Sequence, residues 1–182
     1  MKNAIIINLF GAPCSGKSTF ASELFAHLKK LNYNVEYIQE FVKQKVWNDP
    51  LACRSELYLT GNFLYQIELL EDKVDVIVLD SSLLSGVLFG KFKTETERDY
   101  FTKLVLEIFN RKQNLNFVIH RKHDYKTEGR LQTENEAIAF ERLLYYNLGV
   151  LDVRYTTVEH TLNDIKKVET ILNTKLNYER LR

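Results

Sequence analysis

The stretch that most constrains this chain is Gly11-Ala12-Pro13-Cys14-Ser15-Gly16-Lys17-Ser18, followed by Thr19. It fits G-x-x-x-x-G-K-[ST] at every fixed position. It also lies between an apolar run, Ala4–Phe10, and a helical pattern. Glycines let the backbone turn so that its N–H groups converge on phosphate oxygens. The N-terminus of the following helix adds partial positive charge. Lys17 is then placed to reach β- and γ-phosphates, and Ser18 to ligate Mg²⁺. Residues 11–19 are therefore expected to hold a nucleoside triphosphate. The alternative, a chance glycine-rich turn, does not account for the strand before it and the helix after it. The chain has only seven glycines and two prolines, yet Gly11, Pro13 and Gly16 fall together here. Cys14 reads as filler at a variable loop position.

The rest of the 182 residues alternates strand and helix patterns, as expected for one α/β domain. Strands are expected at Ala4–Phe10, Val35–Gln39, Val74–Asp80, Leu115–His120 and Val153–Val158. Most carry Ile, Val or Leu with little polar alternation, as strands covered on both faces do. Helical spacing links Phe20, Leu24, Leu28 and Leu31, and likewise Leu59, Phe63, Ile67 and Leu70. Thr94-x-x-Glu97 and Thr133-x-x-Glu136 read as capping boxes. The second opens a helix through Ala137, Phe140, Leu144 and Leu148, with its end expected at Gly149. A last helix from about Thr161 carries Leu162, Ile165, Val168 and Leu172.

Twenty-five Lys and Arg nearly cancel 24 Asp and Glu, leaving +1. That excludes holding nucleic acid or membrane by bulk charge alone. Cys14 and Cys53 make neither a disulfide framework nor a metal-ligand spacing. His27, His120, His123 and His160 form no metal-binding pattern and are read as structural or surface residues. The first apolar run is too short, and lacks the cleavage pattern, for a signal peptide. No stretch approaches the ~18 apolar residues of a membrane span. A cytoplasmic protein without a membrane partner is expected.

Open parallel sheets place their sites at the carboxyl ends of strands. The third strand ends in Asp80-Ser81-Ser82. Asp80 suits a Mg²⁺ site; alternatively it, Ser81 or Ser82 caps the next helix. The second strand leads into Glu40, which could accept a proton from an attacking hydroxyl or simply open a helix. Phe41 and Trp47 follow. Tyr58, Asn62 and Gln66 share one helix face; these aromatics and amides suit a heterocycle pocket, or a core edge. The fourth strand leads into a polar segment with Gly129. It reads as a lid at about 121–132, in which Arg121 and Arg130 would close on a transferring phosphate. A solvated basic loop is the other reading. Residues 111–130 hold six Lys/Arg against Asp124 and Glu128, a possible local track for DNA together with Lys91 and Lys93.

Four stretches carry a resemblance: the Gly11–Thr19 loop, Glu40-Phe41-Val42-Lys43, Asp75 through Ser82, and Gly129 through Ala137. Through them the chain resembles the small P-loop kinases of nucleosides and nucleotides. Within these it is most similar to the group with a NadR-like AAA domain common in bacteriophage. That group includes nicotinamide riboside kinase and phage kinases of hydroxymethyluracil in DNA. The resemblance implies a three-layer fold with a five-stranded sheet ordered 2-3-1-4-5. It implies Glu40 beside the acceptor hydroxyl and Arg130 in the lid. At Asp80-Ser81-Ser82 the chain departs from deoxynucleoside kinases, which follow the acid with arginine. It also lacks the Asp-Arg-Tyr type signature of thymidylate kinases.

The expected function is phosphoryl transfer from Mg·ATP to a nucleoside, a nucleotide or a modified base in DNA. Lys17, Glu40, Asp80, Arg121 and Arg130 are the catalytic candidates, and Ser18 and Asp80 the metal ligands. The competing expectation is a nucleotide-sensing or NTP-hydrolysing regulator. Monomer and homodimer are both compatible with the sequence.

Overall fold

A computed structural model describes residues 3–40, 55–120 and 134–180. Five strands form one parallel sheet: β1 (Ile5–Phe10), β2 (Val35–Ile38), β3 (Val76–Leu79), β4 (Gln113–Ile119) and β5 (Thr156–Val158). Their order is β2-β3-β1-β4-β5, the order the resemblance implies. Ile5 registers with both Val76 and Gln113, so β1 is the central strand.

Alternation along the strands divides the core in two. Ile5, Ile7, Leu9, Val76, Val78, Phe117 and Ile119 face one layer. Helices α1 (Lys17–Lys30) and α6 (Leu162–Arg180) cover it with Phe20, Leu24, Leu28, Ile165, Val168 and Leu172. Ile6, Phe10, Ile77, Leu79 and Val118 face the other. There α2 (Glu56–Glu68), α3 (Ser85–Phe89), α4 (Glu95–Asn110) and α5 (Glu134–Val150) supply Phe63, Ile67, Leu88, Phe101, Val105, Leu144 and Leu148. Strands buried on both faces explain their near-continuous apolar runs.

Thr94 caps α4, its hydroxyl accepting from the Glu97 N–H. The Glu97 carboxylate reaches back to the Lys93 N–H, one residue beyond the usual capping-box partner. Thr133 lies outside the described residues.

Three expectations need correction. Helix α5 does not stop at Gly149 but runs through Val150, and the left-handed turn falls on Asp152, at φ 51°. An aspartate tolerates that backbone better than most side chains do. Leu31 follows the last turn of α1 and is exposed, and Leu162 at the start of α6 is exposed too. Helical spacing carried both stripes one residue too far, because helix ends turn away from the core.

Among the described residues no helix is long and apolar enough to cross a membrane.

Candidate active site

The loop between β1 and α1 is built by steric necessity. Gly16 takes φ 87° and Cys14 φ 62°, so two left-handed residues curl the backbone into a concavity. A Cβ on Gly11 would collide with Ser15 Oγ and stand 3.0 Å from the Ile119 carbonyl at the end of β4. Only glycine fits where the loop folds back on itself and on the neighbouring strand. Gly16, the N-cap of α1, has no side chain to cap it, and no acid stands in the first turn. The positive end of the helix therefore faces the loop. Ser15 is buried and its Oγ has no hydrogen-bond partner. A buried orphan hydroxyl inside a cradle of this shape is the kind of group that an incoming oxygen satisfies. Lys17 Nζ lies over the same loop, donating to the Gly11 carbonyl at 2.8 Å and to the Ala12 carbonyl at 3.2 Å.

The adjacent strand ends bring acids to the same carboxyl edge. Asp80 follows β3 directly and is only 1% exposed. The next helix, α3, has Leu84 as its N-cap and no side-chain cap hydrogen bond, so the capping alternative does not hold for Asp80, Ser81 or Ser82. Ser82 Oγ accepts from the Leu84 N–H, and the Ser81 and Ser85 hydroxyls lie 2.8 Å apart. Asp80 Oδ2 instead accepts from the Tyr37 hydroxyl of β2 at 3.3 Å. Burial first, then the charge of Asp80, push the Tyr37 phenol up to about 12, and the charge of Glu40 adds to this. The two carboxylates singled out in the sequence thus both act on one phenol that the sequence did not single out.

The remaining candidates fare differently. Tyr58, Asn62 and Gln66 do share α2, but Gln66 Nε2 donates to Asn62 Oδ1, so the two amides partly satisfy each other. Tyr58 is exposed. Phe41, Trp47, Arg121 and Arg130 lie outside the described residues. Of the proposed basic track, Lys122 and Lys126, like Arg121 and Arg130, lie outside the described residues. Arg111 and Lys112 lie among them and precede β4, at the edge opposite the loop. The seven-residue strand separates them from residue 120 by roughly 23 Å. Lys112 is paired with Glu71, and Arg111 lies near Glu107.

His160, read from the sequence as a structural or surface residue, has a definite place beside the loop. It follows β5 with φ 62°, and its Nε2 lies 3.2 Å from a Glu23 carboxylate oxygen. Its ring meets Phe20 edge-on at 5.6 Å. A Cβ on Gly16 would stand 2.9 Å from Nδ1. A signal existed: Thr161-x-x-Asp164 is a capping box that fixes the turn holding this histidine.

A family model described as AAA domain matches residues 6–164, most of the chain and all of this geometry up to the start of α6. The chain belongs to this AAA-domain family. No curated protein matches it. Among solved structures, this AAA-domain protein is similar to thymidylate kinase from Ehrlichia chaffeensis, at 16% identity and a TM-score of 0.62. That likeness covers 96% of this chain and 99% of that one. It is also similar to APE1195, at 16% identity and a TM-score of 0.51, over 96% and 97% of the two chains. At such identities the likeness is one of fold: the P-loop kinase fold with its five-stranded parallel sheet in this order.

Proposed function

We propose that this AAA-domain protein is a phosphotransferase that uses Mg·ATP. The observation that carries the reading is a convergence at one sheet edge. A phosphate cradle with Lys17 over its mouth sits beside strand ends bearing Asp80 and Glu40, both acting on Tyr37.

In this reading the backbone N–H groups of residues 11–19 bind the triphosphate and Lys17 exchanges its loop carbonyls for phosphate oxygens. Glu40 orients the acceptor hydroxyl and takes its proton. Arg121 and Arg130, carried by the lid at 121–132, offset charge on the transferred group and exclude water. The Ser18 hydroxyl and Asp80 carboxylate are hard oxygen donors that fit Mg²⁺. Such sites typically use one or two carboxylates with substrate phosphates rather than an all-protein cage. When bound there, Mg²⁺ would neutralise charge on the β- and γ-phosphates.

The acceptor in this reading is a nucleoside, a nucleotide or a modified base in DNA, in keeping with the resemblance to the NadR-like group. Lys112 and Arg111 at the far edge weaken the DNA case; segment 121–130 keeps it open. Phe41, Trp47, Tyr58, Asn62 and Gln66 are the base-side candidates.

The test is transfer from γ-labelled ATP across nucleosides, nucleotides, NAD precursors, and plain and hydroxymethylated DNA. Label in one acceptor class supports the reading and names the acceptor. ATP consumed only by water in every reaction favours the regulator instead.

A further inference from the structure

Tyr37 is the third residue of β2, and β2 pairs in register with β3, Tyr37 opposite Val78. Alternation turns Tyr37 toward the layer covered by α1. There Phe25 packs on its ring at a centroid distance of 5.9 Å. Held by the strand on one side and the helix on the other, the ring sends its hydroxyl past the end of β3 to Asp80 Oδ2. The Ser22 hydroxyl of α1 is a second neighbour of the phenol. Ser22 in turn donates to the Ser18 carbonyl at 2.8 Å. A continuous set of contacts therefore runs from the first turn of α1, through Ser22 and Tyr37, to Asp80.

A carboxylate as buried as Asp80 depends on donors to fix its orientation, and the Tyr37 hydroxyl is one, at the 3.3 Å of a long hydrogen bond. The ring alone would fill the same space without the hydroxyl. The hydroxyl is what links Asp80 to Tyr37 and, through Ser22, to α1.

We propose that Tyr37 is the positioning residue for Asp80: its hydroxyl fixes the carboxylate in the orientation that Mg²⁺ on bound ATP requires. This rests on the phosphotransferase reading above and deepens it. Tyr37 itself touches neither nucleotide nor metal in this scheme.

The test compares wild type with Tyr37→Phe, which keeps the ring and removes one oxygen. Binding of a non-hydrolysable β,γ-imido ATP analogue is measured by calorimetry, once with Mg²⁺ and once with EDTA. Tyr37→Phe is expected to bind the analogue about three- to tenfold more weakly with Mg²⁺, the scale of one lost hydrogen bond. In EDTA its affinity should match wild type. The Mg²⁺ needed for half-maximal transfer should rise while the KM for the acceptor holds. Asp80→Asn provides the second arm. If Tyr37 acts through Asp80, adding Tyr37→Phe to Asp80→Asn should change Mg²⁺-dependent binding by less than about twofold. Equal losses with and without Mg²⁺, or a Tyr37→Phe protein indistinguishable from wild type, would overturn the positioning role and leave the phosphotransferase reading intact. A wild type that binds the analogue no better with Mg²⁺ than with EDTA would overturn both.

Discussion

The imidazole of His160 lies against the backbone of Gly16, so close that a Cβ on the glycine would stand 2.9 Å from Nδ1. The turn after β5 therefore braces the phosphate loop from behind. Gly16 also holds φ 87°, which an L side chain adopts at a cost of about 1–2 kcal/mol. Gly16→Ala should suffer both effects. Its Tm should fall by about 3–8 °C, and its affinity for an ATP analogue by at least about tenfold. His160→Ala in the same protein removes the clash but not the backbone strain, so it should restore only part of the loss. Full rescue in the double variant would show that crowding, not φ, is the constraint.

Lys17 donates to the Gly11 and Ala12 carbonyls across the loop mouth. Lys17→Ala removes the cation positioned to meet phosphate charge. Transfer should fall by about a hundredfold or more, the scale of losing one electrostatic donor from a preorganised site. The melting curve should move far less, since Lys17 is partly exposed. A variant with normal turnover would place the phosphate contact elsewhere.

Glu40 follows β2, and its charge raises the Tyr37 phenol, so it stands near the Asp80 corner. As a base it should matter to rate and not to nucleotide binding. Glu40→Gln is expected to lower kcat about 10²- to 10⁴-fold while analogue affinity stays within about twofold. Unchanged transfer to every acceptor would end the base assignment.

How much of this was legible beforehand follows from what each feature depends on. The Gly11–Ser18 loop is local: its residue types, strand and helix lie within thirty positions, so the sequence displays it directly. Asp80 and Glu40 were legible because the fold rule about strand ends needs only strand boundaries. Tyr37 was not. In Val35-Glu36-Tyr37-Ile38 it reads as an ordinary strand aromatic. Its reach to Asp80 exists only because β2 and β3 lie side by side, Tyr37 pairing with Val78 some 41 residues further along the chain. The place of His160 against Gly16 was hidden for the same reason, since its partner Glu23 is 137 residues away. The misplaced end of α5 is a local failure: Gly149 looked like the stop, but the chain found its left-handed turn at Asp152.

The brace on Gly16 depends on the turn from Glu159 to Asp164, and that turn carries its own pH dependence. Asp164 Oδ2 accepts from the Thr161 hydroxyl at 2.6 Å, the Thr161 N–H at 3.0 Å and the Glu159 N–H at 3.2 Å. Burial opposes ionisation, but these hydrogen bonds, with Lys167 nearby, outweigh it and hold the carboxyl below its usual range. A depressed value means the folded state favours the ionised form. The stabilisation is therefore complete above the unfolded value of about 3.9 and is lost as pH falls through the lower folded value. Asp164→Asn should melt a few degrees below wild type at pH 7 (roughly the worth of one helix cap). The two curves should approach each other below about pH 4. Because His160 rides on this turn, the variant should also bind the ATP analogue more weakly at pH 7. A melting difference that stays constant from neutral to strongly acid pH would mean that Asp164 acts through shape alone and that its charge contributes nothing.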